Sequence, residues 1–382
     1  MSRPKILIMH FANSPNTGVW ALMRTLMGWL KDQDGIAVAT GILARKSWPH
    51  SYRQDLEHLG IPFFISRVGS FPGSYLLNYF SPLSRWVKNL HDRFRPERMV
   101  VHLHDAWISG IYLPIKADIS CPLSIVDTFH GVRTYKKSAV IKRLLHAVIA
   151  RRLITYNVTL TSTDNPGIIR ANHYFGLPCE MFQQISNGIE DKGLWGCPRS
   201  MDPSQPLQIG YISAFDDRKG WRYLVAAVEQ LYSEGNRNIK LILAGSGAEQ
   251  KLAHKWAGEH PQYASFKGYV TNAGTNLIPH LDVLVLPTNL EGMPMVLIEA
   301  ISCGVPIIAT PVDGNLDVVI DGYNGFFVER DAGQIAERLK LLLNNIELLR
   351  KLSKQAKLSF LEKFEINRVG NMFLNLYKTT FD

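Results

Sequence analysis

Short apolar runs recur along the chain, each followed by a longer segment with helical periodicity or turn residues, and this alternation predicts strands and helices in turn. In the first half the runs have the length and composition of buried parallel strands. They are Lys5–Met9, Met99–Leu103, Leu123–Val126 and Val158–Leu160. The periodic segment Val19–Leu30 follows the first run after a loop and is predicted to be a helix. The first half is therefore expected to be an α/β domain.

A stretch rich in proline and serine, Pro198–Pro206, interrupts this pattern before the predicted strand Leu207–Ile212. Beyond it the alternation resumes. Strands are predicted at Ile239–Ala244, Val283–Leu286 and Pro306–Ala309, and helices from about Ala248, at Pro294–Cys303 and at Ala332–Asn344. Because 382 residues exceed what one core usually holds, we predict two doubly wound domains, at residues 1–200 and 207–360. Residues 361–382, with a helix at Asn367–Tyr377, are predicted to pack back towards the first domain.

Composition places the chain among folded proteins without a membrane span. Apolar residues make up 46% and charged residues 20%, close to globular averages. The first apolar run is too short for a signal-peptide core, and no run of about 18 apolar residues follows. The four cysteines have no CxxC spacing, as in proteins with reduced thiols. A cytoplasmic protein is expected, peripheral at the inner face of the membrane if it docks there.

Basic charge is concentrated in the first half, where 24 Lys and Arg face 13 Asp and Glu, against 18 and 20 in the remainder. Part of it lies in Lys136–Arg152, a basic amphipathic segment. This segment is either a surface helix packed on the core or a helix that docks on anionic lipid. The sequence alone does not choose between these two interpretations.

The chemistry-bearing cluster lies in PTNLEGMPMVLIEAISCGVPIIAT, after the predicted strand that ends at Leu286. In open parallel sheets ligands bind beyond the carboxyl ends of the strands, so the loops after Ile212, Ala244 and Leu286 are expected to lie together. Glu291 precedes a predicted helix N-terminus, and Glu299 lies in the second turn of that helix. Helix-terminal amides favour a diphosphate, and carboxylates accept hydrogen bonds from paired sugar hydroxyls. The cluster therefore predicts a nucleotide-sugar site.

The run from Glu291 to Glu299, followed by Ala300 and by Gly304 to Pro306, resembles the signature of family 4 glycosyltransferases. The resemblance continues through GYISAFDDRKG, LILAGSGAEQKL, FKGYV and DGYNGFFV and covers residues 207–330. It implies the GT-B fold, two Rossmann-like domains facing a central cleft. It also implies retaining transfer of a sugar from a nucleotide-sugar donor, with front-face departure of the nucleoside diphosphate.

The resemblance further implies roles for single residues of the second domain. Glu291 is expected to contact the donor sugar, Glu299 the ribose and Lys219 the diphosphate. The remaining predicted donor-binding residues are Gly18, Arg218, Gly245, Tyr269, Gly292, Met293 and Pro294. Tyr211 stands where the family usually has an arginine, which predicts one cation fewer at the phosphates unless Arg218 replaces it.

In the first domain, Asn16-Thr17-Gly18 resembles the family's glycine loop, and Thr128-Phe-His130-Gly resembles its histidine motif. His130 is therefore predicted to act beside the sugar, as a catalytic residue together with Glu291 and Lys219. Asn16, Thr17 and His104 are predicted to contact a glycan or lipid-linked acceptor. No metal or other cofactor is expected, since Lys219, Arg218 and helix amides can stabilise the leaving diphosphate.

Two features that mimic other sites are given ordinary interpretations. Asp32-Gln-Asp34 has the spacing of a metal-binding DxD but falls between a helix and a strand, and is predicted to be a solvated turn. Gly245-Ser-Gly247 lacks the third glycine of a dinucleotide fingerprint.

The function predicted is polysaccharide biosynthesis at the cell surface. The alternatives are an inactive GT-B scaffold or a nucleic-acid-binding protein that uses the basic half, although nucleic acid is not the expected partner.

Overall fold

The computed structural model describes residues 4–13, 17–44, 50–67, 85–104, 119–130 and 158–381. The chain divides into two compact units, Met1–Gly188 with Ile366–Asp382, and Ile189–Glu365. The boundary between the two units, after Gly188, lies before the boundary predicted within Pro198–Pro206. The reason is that Gly196 and Cys197 already bond to the second unit, through amides that donate to the carbonyls of Cys303 at 2.6 Å and Leu281 at 2.7 Å.

The first unit holds a seven-stranded parallel sheet in the order β3-β2-β1-β4-β5-β6-β7. Its strands are β1 Ile6–Asn13, β2 Ile36–Ala44, β3 Phe63–Arg67, β4 Arg98–His104, β5 Leu123–Phe129, β6 Thr159–Ser162 and β7 Phe182–Gln184. Its described helices are α1 Thr17–Lys31, α2 His50–Leu59, α3 at 85–94 and α4 Asn165–Phe175. The central strands are buried, which explains why they appear in the sequence as continuous apolar runs.

The C-terminal helix belongs to this first unit. It spans Ile366–Thr379 and packs along α1, where the indole of Trp29 donates to Asn367 at 2.9 Å. Gly370 gives Trp29 room, since a Cβ there would lie 2.4 Å from the indole ring. Phe373 and Tyr377 are buried in the same core as α1 and the central strands.

The second unit repeats the pattern with a six-stranded parallel sheet in the order β10-β9-β8-β11-β12-β13. Its strands are β8 Leu207–Ile212, β9 Ile239–Ala244, β10 Ala264–Gly268, β11 Val283–Leu286, β12 Ile307–Ala309 and β13 Gly325–Phe327. Its helices are α5 Pro198–Met201, α6 Trp221–Ser233, α7 Gln250–Glu259, α8 Ala273–Asn276, α9 Met295–Ser302, α10 Asn315–Val318, α11 Ala332–Asn344 and α12 Ile346–Lys363, and we number the C-terminal helix α13.

Local sequence signals explain where these helices begin and end. The Asp331 carboxylate accepts from the Gln334 amide at the start of α11, and the Asn345 side chain accepts from the Leu348 amide at the start of α12. Gly304 follows α9 with a φ of +68°, a conformation that glycine adopts without strain. Both units are therefore doubly wound parallel sheets, as the sequence predicts.

Candidate functional site

Three loops of the second unit meet at the carboxyl edge of its sheet, after β8, β9 and β11. Gly245, directly after β9, donates its amide to the Gly268 carbonyl at 2.7 Å and has a φ of +131°. A Cβ at Gly245 would lie 1.9 Å from the Ser213 carbonyl oxygen, in the loop after β8. The Phe215 amide also donates to the Ser246 carbonyl at 3.0 Å. Glycine at 245 is thus what allows the first two loops to touch through their backbones.

The centre of this edge is an ion pair between Lys219 and Glu291. Lys219 ends a single 3₁₀ turn, Asp217–Lys219, whose first amides are capped by the Asp216 carboxylate, which accepts from the Lys219 amide at 3.0 Å. The two charged side chains are only 12% and 9% exposed. Their attraction is therefore less screened by water than that of a surface pair.

The loop that carries Glu291 is tied to the Lys219 turn by several hydrogen bonds. The Asn289 amide donates to the Arg218 carbonyl at 3.0 Å, and the Arg218 guanidinium donates to the Leu290 carbonyl at 2.9 Å. Gly220, with a φ of +71°, lies against the same loop, since a Cβ there would be 2.0 Å from the Pro287 carbonyl oxygen. The position of the ion pair is therefore built into the backbone.

Helix α9 begins directly after this loop. Its N-cap is Pro294, which makes no side-chain capping bond, and its first turn contains no acidic residue. Gly314 packs on Gly292, where a Cβ would meet the Gly292 carbonyl oxygen at 1.9 Å. Met293 is buried in the core, so it anchors the loop rather than lining its surface. The helix terminus thus keeps amides and positive dipole that can attract an anion.

Glu299 lies in α9, and burial raises its pKa to about 7, an effect that Lys192 opposes. The Lys192 ammonium donates to the Thr275 hydroxyl at 2.8 Å. Gly274 faces Glu299, since a Cβ there would lie 3.2 Å from the carboxyl carbon. Hydrogen-bond donors that approach the Glu299 carboxyl group would stabilise its ionised form.

Tyr211, which stands where the resemblance predicts an arginine, packs into the core of the second unit. Its ring is fully buried, its hydroxyl donates to the Ala214 carbonyl at 2.8 Å, and its ring centre lies 5.3 Å from that of Phe215. The tyrosine supplies no positive charge, so one cation fewer at the phosphates, unless Arg218 replaces it, stays a prediction. Arg218, 42% exposed, places its guanidinium 3.7 Å from Asp216.

Tyr269, predicted to bind the donor, follows β10 and is 69% exposed. The structure therefore brings Lys219, Arg218, Gly245, Gly292 and the two carboxylates to one edge of the sheet. Two other predicted donor residues of this unit differ in exposure, since the Tyr269 ring is exposed and Met293 is buried in the core.

In the first unit, four histidines gather on one face of the sheet. His10 of β1 pairs in register with His102 of β4, and His104 lies two residues further along the same strand. His10 Nδ1 is 3.0 Å from His104 Nε2, and His104 Nδ1 is 2.8 Å from His130 Nε2. We call His10, His104 and His130 the histidine row.

His102 is bonded separately. Its Nδ1 lies 2.7 Å from the Tyr377 hydroxyl and its Nε2 lies 2.6 Å from the Thr128 hydroxyl. Burial lowers the pKa of His10 to about 3 and that of His130 to about 4. Burial, together with repulsion from the neighbouring rings, also holds the pKa of His102 and of His104 well below the usual value. All four rings are therefore neutral at physiological pH.

His104 was predicted to contact an acceptor, and the structure places it inside the first unit. It is 1% exposed, because inward-facing positions of a central strand are covered by helices, and its side chain contacts His10 and His130 instead. His130 itself is partly exposed. Thr17 and Gly18 lie in the first turn of α1, whereas Asn16 and the basic segment Lys136–Arg152 fall outside the described residues.

Several residues at these sites were not predicted from the sequence. Asp216, Gly220 and Gly314 act through contacts with loops that are distant in sequence, and His10 stands in an apolar run that predicts only a strand. Asp216 alone carried a local signal, since Asp three residues before Lys219 is a capping pattern. Asp32 and Asp34 are exposed between α1 and β2, which confirms the predicted turn.

Comparison with known sequences shows similarity to glycosyltransferases. Residues 199–359 match the model of the family described as glycosyl transferases group 1. The chain is 27% identical over 209 residues to the capsular polysaccharide biosynthesis glycosyltransferase CapM of Staphylococcus aureus, covering 53% of each chain. It is 26% identical over 317 residues to the putative glycosyltransferase EpsD of Bacillus subtilis, covering 78% of this chain and 80% of EpsD. The match to CapM thus spans about half of that relative.

Among solved structures, Anabaena Alr3699/HepE in complex with UDP superposes with a TM-score of 0.76 at 15% identity, over 98% of this chain and 100% of that one. A glycosyltransferase from Rickettsia africae gives 0.76 at 18% identity, over 98% of both chains. These likenesses establish the fold and confirm the predicted GT-B class. Within the described part of the chain, no helix combines the length and apolar character needed to cross a membrane.

Proposed function

We propose that this chain is a retaining, family 4 glycosyltransferase that transfers a sugar from a nucleotide-sugar donor to a glycan or lipid-linked acceptor in cell-surface polysaccharide biosynthesis. The observation that carries the proposal is the Lys219–Glu291 ion pair, immediately before the uncapped N-terminus of α9. CapM, a relative named for capsular polysaccharide biosynthesis, supports the class of pathway. Alr3699/HepE, solved with UDP and with UDP-glucose, supports the class of donor.

The donor is assigned to the carboxyl edge of the second sheet. The diphosphate binds at the α9 amides and Lys219, with Arg218 as the second cation. Glu291 accepts hydrogen bonds from sugar hydroxyls, and Glu299 accepts them from the ribose. Gly292, whose carbonyl packs on Gly314, leaves the backbone open to close approach by the sugar.

Transfer breaks the bond between the anomeric carbon and a diphosphate oxygen, and the acceptor hydroxyl attacks the same face. The negative charge that develops on the leaving diphosphate is stabilised by Lys219, Arg218 and the helix amides, which are already oriented before the reaction. Because these groups supply the positive charge, no metal ion is required. Activity is therefore expected to persist in a chelator such as EDTA.

The acceptor is assigned to the first unit, where His130 contacts the transferred sugar and Thr17 lies at the start of α1. The basic composition of residues 1–200 suits an acceptor held at an anionic membrane surface. Sedimentation with vesicles that contain anionic lipid, compared with neutral vesicles, tests this part. Equal binding to both would remove membrane docking from the proposal.

Donor binding is tested first by thermal stabilisation with UDP-, GDP- and ADP-sugars. A ligand at about 100 times its dissociation constant adds about 2.7 kcal/mol to the free energy of unfolding. The donor so identified is then supplied with membrane extracts or lipid-linked glycans, and release of nucleoside diphosphate is followed together with transfer of labelled sugar.

Glu291→Ala is expected to abolish most transfer while the protein stays folded. Glu259→Ala is the matched control, because Glu259 is an exposed carboxylate at the end of α7. Full transfer by Glu291→Ala would overturn the proposed site, and donor binding without transfer to any acceptor would favour an inactive scaffold.

A further inference from the structure

The histidine row defines the proton positions on three rings. A neutral imidazole has one N–H donor and one bare nitrogen that accepts. Each of the two contacts, His10 Nδ1 to His104 Nε2 at 3.0 Å and His104 Nδ1 to His130 Nε2 at 2.8 Å, needs one nitrogen of each kind. All three rings must therefore carry the proton on the same nitrogen, either Nδ1 throughout or Nε2 throughout.

The far end of the row distinguishes these two arrangements. His10 Nε2 is buried and has no hydrogen-bond partner among the described residues. With Nε2 protonated throughout, a buried N–H would point at no acceptor among those residues. With Nδ1 protonated throughout, the same atom is a bare acceptor, and unpaired buried acceptors are less rare in proteins than unpaired buried donors. The structure thus favours the Nδ1 arrangement.

We infer that His104 is a positioning residue that makes His130 present an Nδ1–H donor, so that His130 binds an oxygen atom of its ligand and does not accept a proton from it. His104 donates to His130 Nε2 and leaves Nδ1 as the nitrogen available for a ligand. This inference rests on the proposed function only for the identity of that ligand, a sugar or acceptor oxygen. It excludes His130 as the general base.

A bound metal ion is the competing interpretation of the same rings. His10, His102 and His104 offer nitrogens within 4.8 Å of one another. Both nitrogens of His102, however, are already bonded to the hydroxyls of Tyr377 and Thr128. A metal would have to displace one of these bonds and also the contact between His10 and His104, so the hydrogen-bonded row is the better account.

Nitrogen NMR of protein labelled with ¹⁵N-histidine tests the inference without any substrate. Protonated and bare ring nitrogens have well-separated shifts, and His130 is assigned from the signals missing in His130→Asn. At pH 7.5 we expect His130 to carry its proton on Nδ1. In His104→Leu the donor to Nε2 is lost, so His130 is expected to return to the Nε2–H form that a free neutral histidine prefers.

Matched variants separate this effect from a general disturbance. His104→Gln retains an amide donor and is expected to keep more of the Nδ1–H form than His104→Leu. His173→Leu, at an exposed position of α4, is expected to leave His130 unchanged. If the His104 variants do not fold, the wild-type spectrum alone decides. Nε2–H in the wild type, or about one equivalent of divalent metal that disappears in His10→Leu, would overturn the inference.

Kinetics then connect the proton position to activity. With the donor and acceptor identified above, His104→Leu is expected to lower kcat/KM by about 10- to 100-fold, because a bare nitrogen then faces a ligand oxygen. His104→Gln is expected to retain more activity. An unchanged kcat/KM in a folded His104→Leu that has switched to Nε2–H would overturn the link to the ligand. Absence of any transfer in the wild type would contradict the proposed function and leave the NMR result intact.

Discussion

The two units share a strand order yet treat the polar groups at their sheets differently. In the first unit, buried His10 and His104 and the partly exposed His130 form a row of neutral rings on one sheet face, joined by hydrogen bonds. In the second unit, Lys219 and Glu291 are opposite charges on loops, little exposed and held together by attraction. The same architecture therefore carries one polar cluster that must stay uncharged and one that depends on charge.

This difference follows from where the side chains start. A side chain that projects from a central strand is surrounded by apolar groups, where an isolated charge costs several kcal/mol or shifts its pKa. A side chain on a loop beyond the strand end keeps some contact with water and can pair. The first cluster is thus suited to fixed hydrogen-bond geometry, and the second to binding an anion.

The largest expected effect is on the charged cluster. Lys219→Ala removes the cation assigned to the leaving diphosphate, and we expect kcat/KM to fall by about 10²- to 10³-fold. Lys255→Ala is the control, since Lys255 is an exposed lysine of α7. Steady-state kinetics with the identified donor measure both variants. If folded Lys219→Ala keeps a kcat/KM within twofold of the wild-type value, the cluster in the second unit does not depend on this charge.

The next effect concerns the backbone that holds the ion pair. A Cβ at Gly220 would lie 2.0 Å from the Pro287 carbonyl oxygen, and its φ of +71° adds strain. Gly220→Ala is expected to lower the free energy of unfolding by about 3 kcal/mol, measured by urea denaturation. Gly235, with a φ of +92° and nothing within 4 Å of a Cβ, isolates the strain alone, and Gly235→Ala should cost about 1 kcal/mol. Equal losses would show that contact with Pro287 is unimportant.

A third test asks whether the first cluster must stay neutral. Burial lowers the pKa of His10 to about 3 in the folded chain, whereas the unfolded chain titrates near about 6.5. Below that pH the unfolded state binds the extra proton, so stability is complete above about 6.5 and falls on acidification, by up to about 1.4 kcal/mol per pH unit for each such histidine.

Urea denaturation between pH 8 and pH 5 measures this slope. His10→Phe is expected to have a shallower slope than the wild type, and His173→Gln, at an exposed position, the same slope as the wild type. A wild-type stability that does not change between pH 7 and pH 5 would mean that the row accepts protons in the folded state.

The smallest expected effect is a pH dependence of donor affinity in the second unit. Burial raises the pKa of its acidic residue Glu299 to about 7. Ribose hydroxyls favour its ionised form, so donor affinity should weaken as the pH falls through that value. Between pH 8 and pH 6 we expect about a tenfold loss, measured by calorimetry with the intact nucleotide sugar. Glu299→Gln should bind more weakly and without this pH dependence. If the variant keeps the same pH profile, another group is responsible.

The sequence predicted the second unit better than the first. The bounds of β8, β9 and β11 match the predicted Leu207–Ile212, Ile239–Ala244 and Val283–Leu286, because buried parallel strands read as uninterrupted apolar runs between turn signals. Glu291, Lys219 and Glu299 could be predicted as site residues because they fall within a local motif.

The first unit depended on information that is not local. Whether His104 faces a ligand or the core depends on which sheet face its strand presents, and a histidine within an apolar strand has no sequence signal for either. The role of His10 depends on the register between β1 and β4. That register places His10 beside His102, 92 positions further along the chain. The burial of Tyr211 was equally hidden, since a position next to a motif can still point inwards.

The return of the chain at Ile366 affects how the protein is made. Every residue of the second unit, Ile189–Glu365, is translated before the first unit is complete, because α13 follows the second unit in the chain. Until then His102 lacks the Tyr377 hydroxyl and α1 lacks the helix that packs along it. The first unit can therefore complete its core only after the second unit has been translated, and a chain cut before Ile366 lacks part of the first unit's core.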